Sequence, residues 1–305
     1  MPRELPIRRG FVFALMDEAR PFLKKEQMKP VEALPGHQLF RGEQVAAVVT
    51  GIGVEKAAAG TTALQSYVYA ENRKLAPHRF FGRSSRLPDF SLLSVGLAGK
   101  LDRNPGDLGR LFQINRLQNQ ASGESHYPDL LVRWEGIREA SLVTTPRPVF
   151  ADAANPELGA DLVDMEGTGI MTAARAFVQN HQIHIFKIAS DLLQPIANLR
   201  TTATPWLEKA AEQLVPALQK WSGETTEAAP VNEEAYAWMQ TVADRLRFSF
   251  TRRKAWEQIC LGVILQGREL PLAYQPPENL SKKQQHEQWH HLQQLLSPEK
   301  PLTRS

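Results

Sequence analysis

Between residues 11 and 221 the sequence alternates short apolar runs with longer stretches of helical periodicity, and several of the runs end in glycine or an acid. The run FVFAL (11–15) reads as a first strand. Residues 38–50, QLFRGEQVAAVVT, read as a hairpin turning at Gly42, after which GIG opens a helix from Val54 to about Glu71. SLLSV (91–95) reads as a buried strand ending in the glycine-rich GLAGK. Further strands are expected at 107–115 and 140–145, and ADLVDM leads into a helix over 167–180. IHIFKIAS (183–190) gives the last strand, and a helix over 204–221 closes the domain. Strands and helices in alternation predict a layered α/β sandwich.

The composition changes at 222–232, where SGETTEAAPVN has the mix of a linker. Beyond it lie helical patterns at 233–247 and 251–266, then QPPENL and a polar helix to about residue 296. The expected organisation is an α/β domain over 1–221, a linker over 222–232 and a helical C-terminal extension over 233–305.

At 42% hydrophobic and 23% charged, the chain has the make-up of an ordinary globular protein. Its formal charge of +3 is weak evidence for a polyanionic partner. The basic residues read as scattered, except over 73–86, where Arg73, Lys74, Arg79, Arg83 and Arg86 are interleaved only with Phe80 and Phe81. That segment reads as a solvated loop, so no nucleic-acid partner is expected. Cys260 is the only cysteine, which leaves no intrachain disulfide and no cysteine metal cluster and fits a reducing compartment. Arg3, Arg8 and Arg9 before FVFALM imitate a signal peptide, but the apolar run stops at Asp17. No window approaches a membrane span. The expected location is cytoplasmic, with no membrane partner.

The stretch DLVDMEGTGIM (161–171) sets carboxylates, Asp164 and Glu166, into an apolar run. Buried carboxylates are costly unless paired, so they are often placed for a task. A plainer account puts Glu166 in the first turn of the following helix, where the dipole favours an acid. Other strand ends carry acids too: Glu18 in ALMDEARPF and Asp191 in ASD. Functional groups of α/β sheets collect at such carboxyl ends. Three converging acids, with glycines that let a ligand approach the backbone, are the parts needed to cleave a bond at a sugar carbon.

The motifs ALMDEA, TGIGVEKAAAG, VGLAGKLDRNPGDL, VDMEGTGI and IASD stand in this order and at about the spacing of the purine nucleoside phosphorylase/nucleosidase superfamily. Over residues 10–221 the chain most resembles the methylthioadenosine/S-adenosylhomocysteine nucleosidase branch. The resemblance implies a three-layer sandwich with a central twisted mixed sheet flanked by helices, a homodimer, a small-molecule nucleoside substrate, and no cofactor or metal. It implies that Glu18 activates the attacking water and that Glu166 binds the ribose 2′- and 3′-hydroxyls, with Met165 packing beneath the sugar. Asp191, oriented by Ser190, would protonate purine N7, and an aspartate at this place points to adenine. Ala98 and Gly99 would line the base, Ile52 would touch the 5′ side, and Phe150 is the candidate aromatic cover. The implied reaction is hydrolysis of the N-glycosidic bond of a 5′-substituted adenosine.

Where related phosphorylases place an arginine and a serine for phosphate, this chain has Ser94 and Leu97, which favours water. Arg20 and Lys100 remain substitute phosphate ligands, so phosphorolysis stays as the alternative. Residues 116–140 are few compared with the familiar nucleosidases, and some relatives act on futalosine or adenosyl-hopane, which leaves the 5′ substituent open. A non-catalytic nucleoside-binding protein is a further alternative, opposed by the presence of all three acids. HEQWH (286–290) matches the zinc-protease signature. It lies in a glutamine-rich segment with only the distant Glu299 as a third ligand, and a surface helix accounts for it better. TGIGVEKAAAG lacks the third glycine of a dinucleotide fingerprint.

Overall fold

The computed structural model describes residues 5–32, 36–75, 77, 87, 90–101, 105–130, 134–150, 158–194, 199–220, 231–265 and 268–296. The chain divides into two compact units: Met1–Leu75 with Ser85–Thr225, and Ala76–Ser84 with Thr226–Ser305. Up to residue 230 the expected linker lies outside the described residues, as do Arg79, Phe80, Phe81, Arg83, Arg86 and Glu299. Among the described residues the elements are ten strands in one mixed sheet and seven α-helices. None of these helices is long and apolar enough to cross a membrane.

In the first unit, β1 (Arg9–Phe13) lies between β4 (Val45–Val49) and β5 (Ser91–Lys100), parallel to both. β3 (Gln38–Arg41) and β2 (Lys29–Val31) extend the sheet beyond β4 by antiparallel pairing, and the hairpin turns at Gly42 as expected. β5 then changes neighbours along its length. Its first residues, Ser91–Ser94, pair with β1, whereas Gly99 and Lys100 pair with β9 (Leu162–Asp164). Its other edge carries β10 (Ile183–Asp191) in parallel. β10 also pairs with β6 (Leu111–Asn119), β6 with β8 (Arg138–Thr144) and β8 with β9. The five strands β5, β9, β8, β6 and β10 therefore close into a ring, and β7 (Ser125–His126) edges β6.

SLLSVGLAGK is one ten-residue strand, longer than the expected 91–95, because the glycines continue the ladder instead of ending it. β6 begins at Leu111, after a 3₁₀ turn at Pro105–Asp107, later than the expected strand at 107–115. The helix after DLVDM, α3 (Gly167–Ala174), is shorter than the expected 167–180. It packs against α2 (Val54–Leu75) so closely that a Cβ on Gly169 would fall 2.2 Å from the Val54 carbonyl oxygen. α4 (Leu199–Lys220) completes this unit.

The sequence reading has no counterpart for α1 (Met16–Lys25), which carries Pro21 in its interior. A proline there removes a helical hydrogen bond and normally signals a break. Burial of Ala19 and Phe22 holds the helix to the sheet, with the Phe22 ring 5.5 Å from Phe11 and 5.2 Å from Phe13. The Glu18 carboxylate closes its first turn by accepting from the Leu15 amide at 3.0 Å.

The second unit is helical among its described residues: α5 (Glu233–Arg245), α6 (Phe250–Leu265) and α7 (Lys282–Leu296). Asn232 caps α5, its Oδ1 accepting from the Ala235 amide at 2.7 Å. Trp238, Phe248, Trp256 and Trp289 fill the core around Cys260 and Leu292. Two of the buried indoles hydrogen-bond to the main chain: Trp238 Nε1 donates to the Tyr274 carbonyl and Trp256 Nε1 to the Met239 carbonyl.

Candidate active site

A cavity of about 320 Å³ opens at the carboxyl ends of β1, β5, β9 and β10. All nine residues singled out in the sequence line it: Glu18, Ile52, Ala98, Gly99, Phe150, Met165, Glu166, Ser190 and Asp191. The three acids arrive on different elements, which is why their sequence separation is large and their spatial separation small. Glu18 sits in the first turn of α1, Glu166 between β9 and α3, and Asp191 at the end of β10.

Each carboxylate has its own environment. Glu18 is 4% exposed and accepts three backbone hydrogen bonds, from Ala14 and Leu15 at 3.0 Å and from Leu97 at 2.9 Å. Burial pushes its pKa up; Lys187 and the Leu97 and Leu15 amides pull against that, Glu166 adds to it, and the net shift is upward. Glu166 accepts from the Gly53 amide at 2.9 Å through one oxygen. Its pKa is also raised, by burial first, with Lys187 opposing and Asp164 reinforcing. Asp191 lies at the rim, its Oδ1 accepting from the Leu193 amide at 2.9 Å and its Oδ2 2.6 Å from Ser190 Oγ. That hydroxyl is also 3.2 Å from the Ala98 carbonyl. A hydroxyl has one proton to give. Ser190 Oγ can direct it to the Asp191 carboxylate or to the Ala98 carbonyl.

The residue that sequence reasoning missed is Lys187. It stands 3% exposed in the middle of β10, 2.7 Å from Asp164 Oδ2. Burial works against its charge, but Asp164, then Glu166 and Glu18, outweigh that and raise its pKa. Asp164 is itself tied down, accepting from Thr144 Oγ1 at 2.7 Å and from the Gly167 amide at 2.9 Å. Gly96 makes room for this assembly: a Cβ there would lie 3.1 Å from Glu18 Oε1 and 3.3 Å from Lys187 Nζ. The signal was legible in principle, since a lysine inside the apolar run IHIFKIAS must find partners.

Leu193 also lines the cavity, in a left-handed conformation (φ 63°) that lets its amide turn back to Asp191. A non-glycine residue in that region is uncommon, and such strain gathers at functional sites. The remaining wall is apolar. Leu15, Ile52 and Phe150 stand at the mouth with 39%, 49% and 47% of their surface exposed. Arg20 and Lys100 do not line the cavity: Arg20 faces solvent beside Asp17, and Lys100 is buried against Asp107 at 3.3 Å.

Neither a sequence-family model nor a curated protein sequence matches the chain. Solved structures do. An MTA/SAH nucleosidase aligns over 72% of this chain and 98% of its own, with a TM-score of 0.54 at 14% identity. A Helicobacter pylori MTAN mutant with 5′-methylthioadenosine in the active site gives 71% and 100%, a TM-score of 0.53 and 14% identity. A futalosine hydrolase mutant from Helicobacter pylori gives 70% and 99%, 0.51 and 15%. The fold is that of these nucleosidases. At such identities the likeness concerns the path of the chain.

Proposed function

We propose that the protein hydrolyses the N-glycosidic bond of a 5′-substituted adenosine, releasing adenine. The observation that carries this reading is the meeting of three differently held carboxylates at one cavity, with a buried ammonium behind Glu18. The MTA/SAH nucleosidases and the futalosine hydrolase of the same fold add support.

In this reading Glu18 takes a proton from water while the water oxygen attacks C1′ and the bond from C1′ to the base breaks. Its three amide bonds fix its direction, and Lys187 opposes the upward push of burial on its pKa. Glu166 grips the ribose 2′- and 3′-hydroxyls, and Met165 packs beneath the sugar. Asp191 gives its proton to purine N7, so that the base does not leave as an anion; Ser190 holds the carboxyl whether or not it carries that proton. Ala98 and Gly99 flank the base, with Phe150 as its cover. Ile52 and the apolar mouth suit an apolar 5′ substituent.

Water is favoured over phosphate by charge. Four acidic side chains, Glu18, Asp164, Glu166 and Asp191, line the cavity, against the single ammonium of Lys187 beside Asp164. A phosphate dianion would enter a site already negative. Neither Arg20 nor Lys100 is placed to offset that. Incubation with a panel of 5′-substituted adenosines, with and without phosphate, followed by chromatography of base and sugar, tests the reading. Free adenine and a free ribose-type sugar are expected, at a rate indifferent to phosphate. A sugar 1-phosphate would replace hydrolysis with phosphorolysis, and a folded protein that releases no base from any of them would remove the enzyme.

A further inference from the structure

At the amino end of β1, opposite the candidate active site, lies a second cleft of about 710 Å³. Arg8, Arg9, Lys25, Lys29 and Arg41 line it, against two acids, Glu26 and Glu43. These cations come from four separate stretches of sequence, so the linear chain shows only scattered charge. Of 36 basic and 33 acidic residues, five and two belong to this lining, which leaves 31 of each sign elsewhere. The lining thus carries a local excess of three positive charges.

The cleft is partly organised in advance. Glu26 holds the Arg9 guanidinium in a two-pronged pair, Nη1 to Oε1 at 2.5 Å and Nη2 to Oε2 at 3.4 Å, with both side chains largely buried. That pair spends one of the two acidic charges and fixes a planar donor. Arg41 is tethered by Nη2 to the Leu5 carbonyl at 3.4 Å. Gln27, left-handed at φ 51°, turns the chain between the helix that ends with Lys25 and the strand that begins with Lys29. Neither lysine makes an ion pair among the described residues, and both are exposed.

We propose that this cleft binds a small polyanion, a ligand carrying a di- or triphosphate group. Arginine forks and lysine ammonium groups are the usual partners of phosphate oxygens. Several cations arranged around a hollow suit linked phosphates better than one. The volume lies within the roughly 300–1,000 Å³ of small-molecule sites. A polymeric nucleic acid would call for a basic stripe along a surface, whereas these cations line a hollow. The helix α1 carries Glu18 in its first turn and Lys25 in its last, so an occupant would touch the same helix that presents Glu18.

The test is calorimetric titration of the full chain with inorganic triphosphate at low salt, in the presence of excess adenine. The expected result is saturable binding at one site that weakens as salt rises and becomes at least tenfold weaker in the double variant Lys25→Gln/Lys29→Gln. Both side chains are exposed, so the fold should survive; Arg41→Gln gives an independent second reading of the same loss. Glu18→Gln should leave the affinity unchanged. Adenosine triphosphate, titrated in parallel, should lose affinity in the same variants, and whichever of the two binds more tightly names the source of the phosphates. Absence of triphosphate binding, equal binding in the variants, or competition by adenine would overturn the proposal. So would a short DNA duplex that outcompetes triphosphate at the same lysines.

Discussion

The two units of this chain bury different things. Among the described residues, every buried charged side chain belongs to the α/β unit: Glu18, Lys100, Asp107, Asp164, Glu166 and Lys187. The helical unit buries three tryptophans, a phenylalanine and a cysteine, and no charge. Apolar burial stabilises in proportion to area, whereas a buried charge costs several kcal/mol before its partners offset it, on the order of the whole stability of a domain. A unit that keeps six buried charges is carrying chemistry that stability alone does not explain. Lys100 and Asp107 answer each other, and the other four converge on one cavity.

The largest expected effect breaks the comparison at its centre. Glu18→Gln should lower base release by about two to four orders of magnitude, because nothing then accepts the water's proton. Near-normal turnover in this variant would sink the proposed mechanism. Lys187→Met should act first on stability. It leaves Asp164, Glu166 and Glu18 facing one another without a cation, at a cost of roughly 3–5 kcal/mol for breaking a buried pair. If the variant still folds, removal of the ammonium raises Glu18 further, and the acid limb of the rate–pH profile should move to higher pH. A profile that stays in place would detach Lys187 from Glu18.

Much of this was legible in the sequence because chemistry at strand ends leaves local marks. Acids at the close of apolar runs located Glu18, Glu166 and Asp191, and the cavity gathers all three. What was not legible depended on the third dimension. Pro21 hid α1, because tertiary burial of Ala19 and Phe22 overrides a local breaker. GLAGK looked like a strand end, since the partner that keeps its ladder going, β10, lies about ninety residues downstream. Lys187 drew no attention within IHIFKIAS, because its partner Asp164 comes from another strand. The basic cleft is the extreme case, with no single segment that displays it.

A third measurement sharpens the contrast through pH. His184, fully buried in the α/β unit among Trp134 and Phe186, has its pKa lowered to about 4, by burial first and then by His181. The folded protein holds it neutral, while the unfolded chain binds a proton near the ordinary histidine pKa of about 6.5. Its contribution is therefore complete above that value and is lost as pH falls towards 4, by about 3 kcal/mol in all. Glu18 and Glu166, with raised pKa values, act with the opposite sign in acid, so the parent's curve is a sum. The difference between the parent and His184→Phe isolates the histidine. That difference should change steadily between about pH 6.5 and 4. A constant difference would mean that His184 is not held neutral.

The smallest effect belongs to the helical unit and serves as its control. Asn232 caps α5 through the Ala235 amide, and Asn232→Ala should cost about 1 kcal/mol, the usual size of a lost cap. Because the buried titratable group of that unit, the Cys260 thiol, has its pKa pushed up by burial and stays protonated throughout this range, the loss should be the same at pH 5 and pH 8, unlike that of His184→Phe. Because the cap is far in sequence from every acid of the cavity and belongs to the other unit, base release at a temperature where both proteins are folded should be unchanged. Denaturant unfolding and the adenine assay, run on the same preparation, read both at once. A fall in turnover without a fall in stability would tie the helical unit to the reaction, and the division of labour between the two units would have to be redrawn.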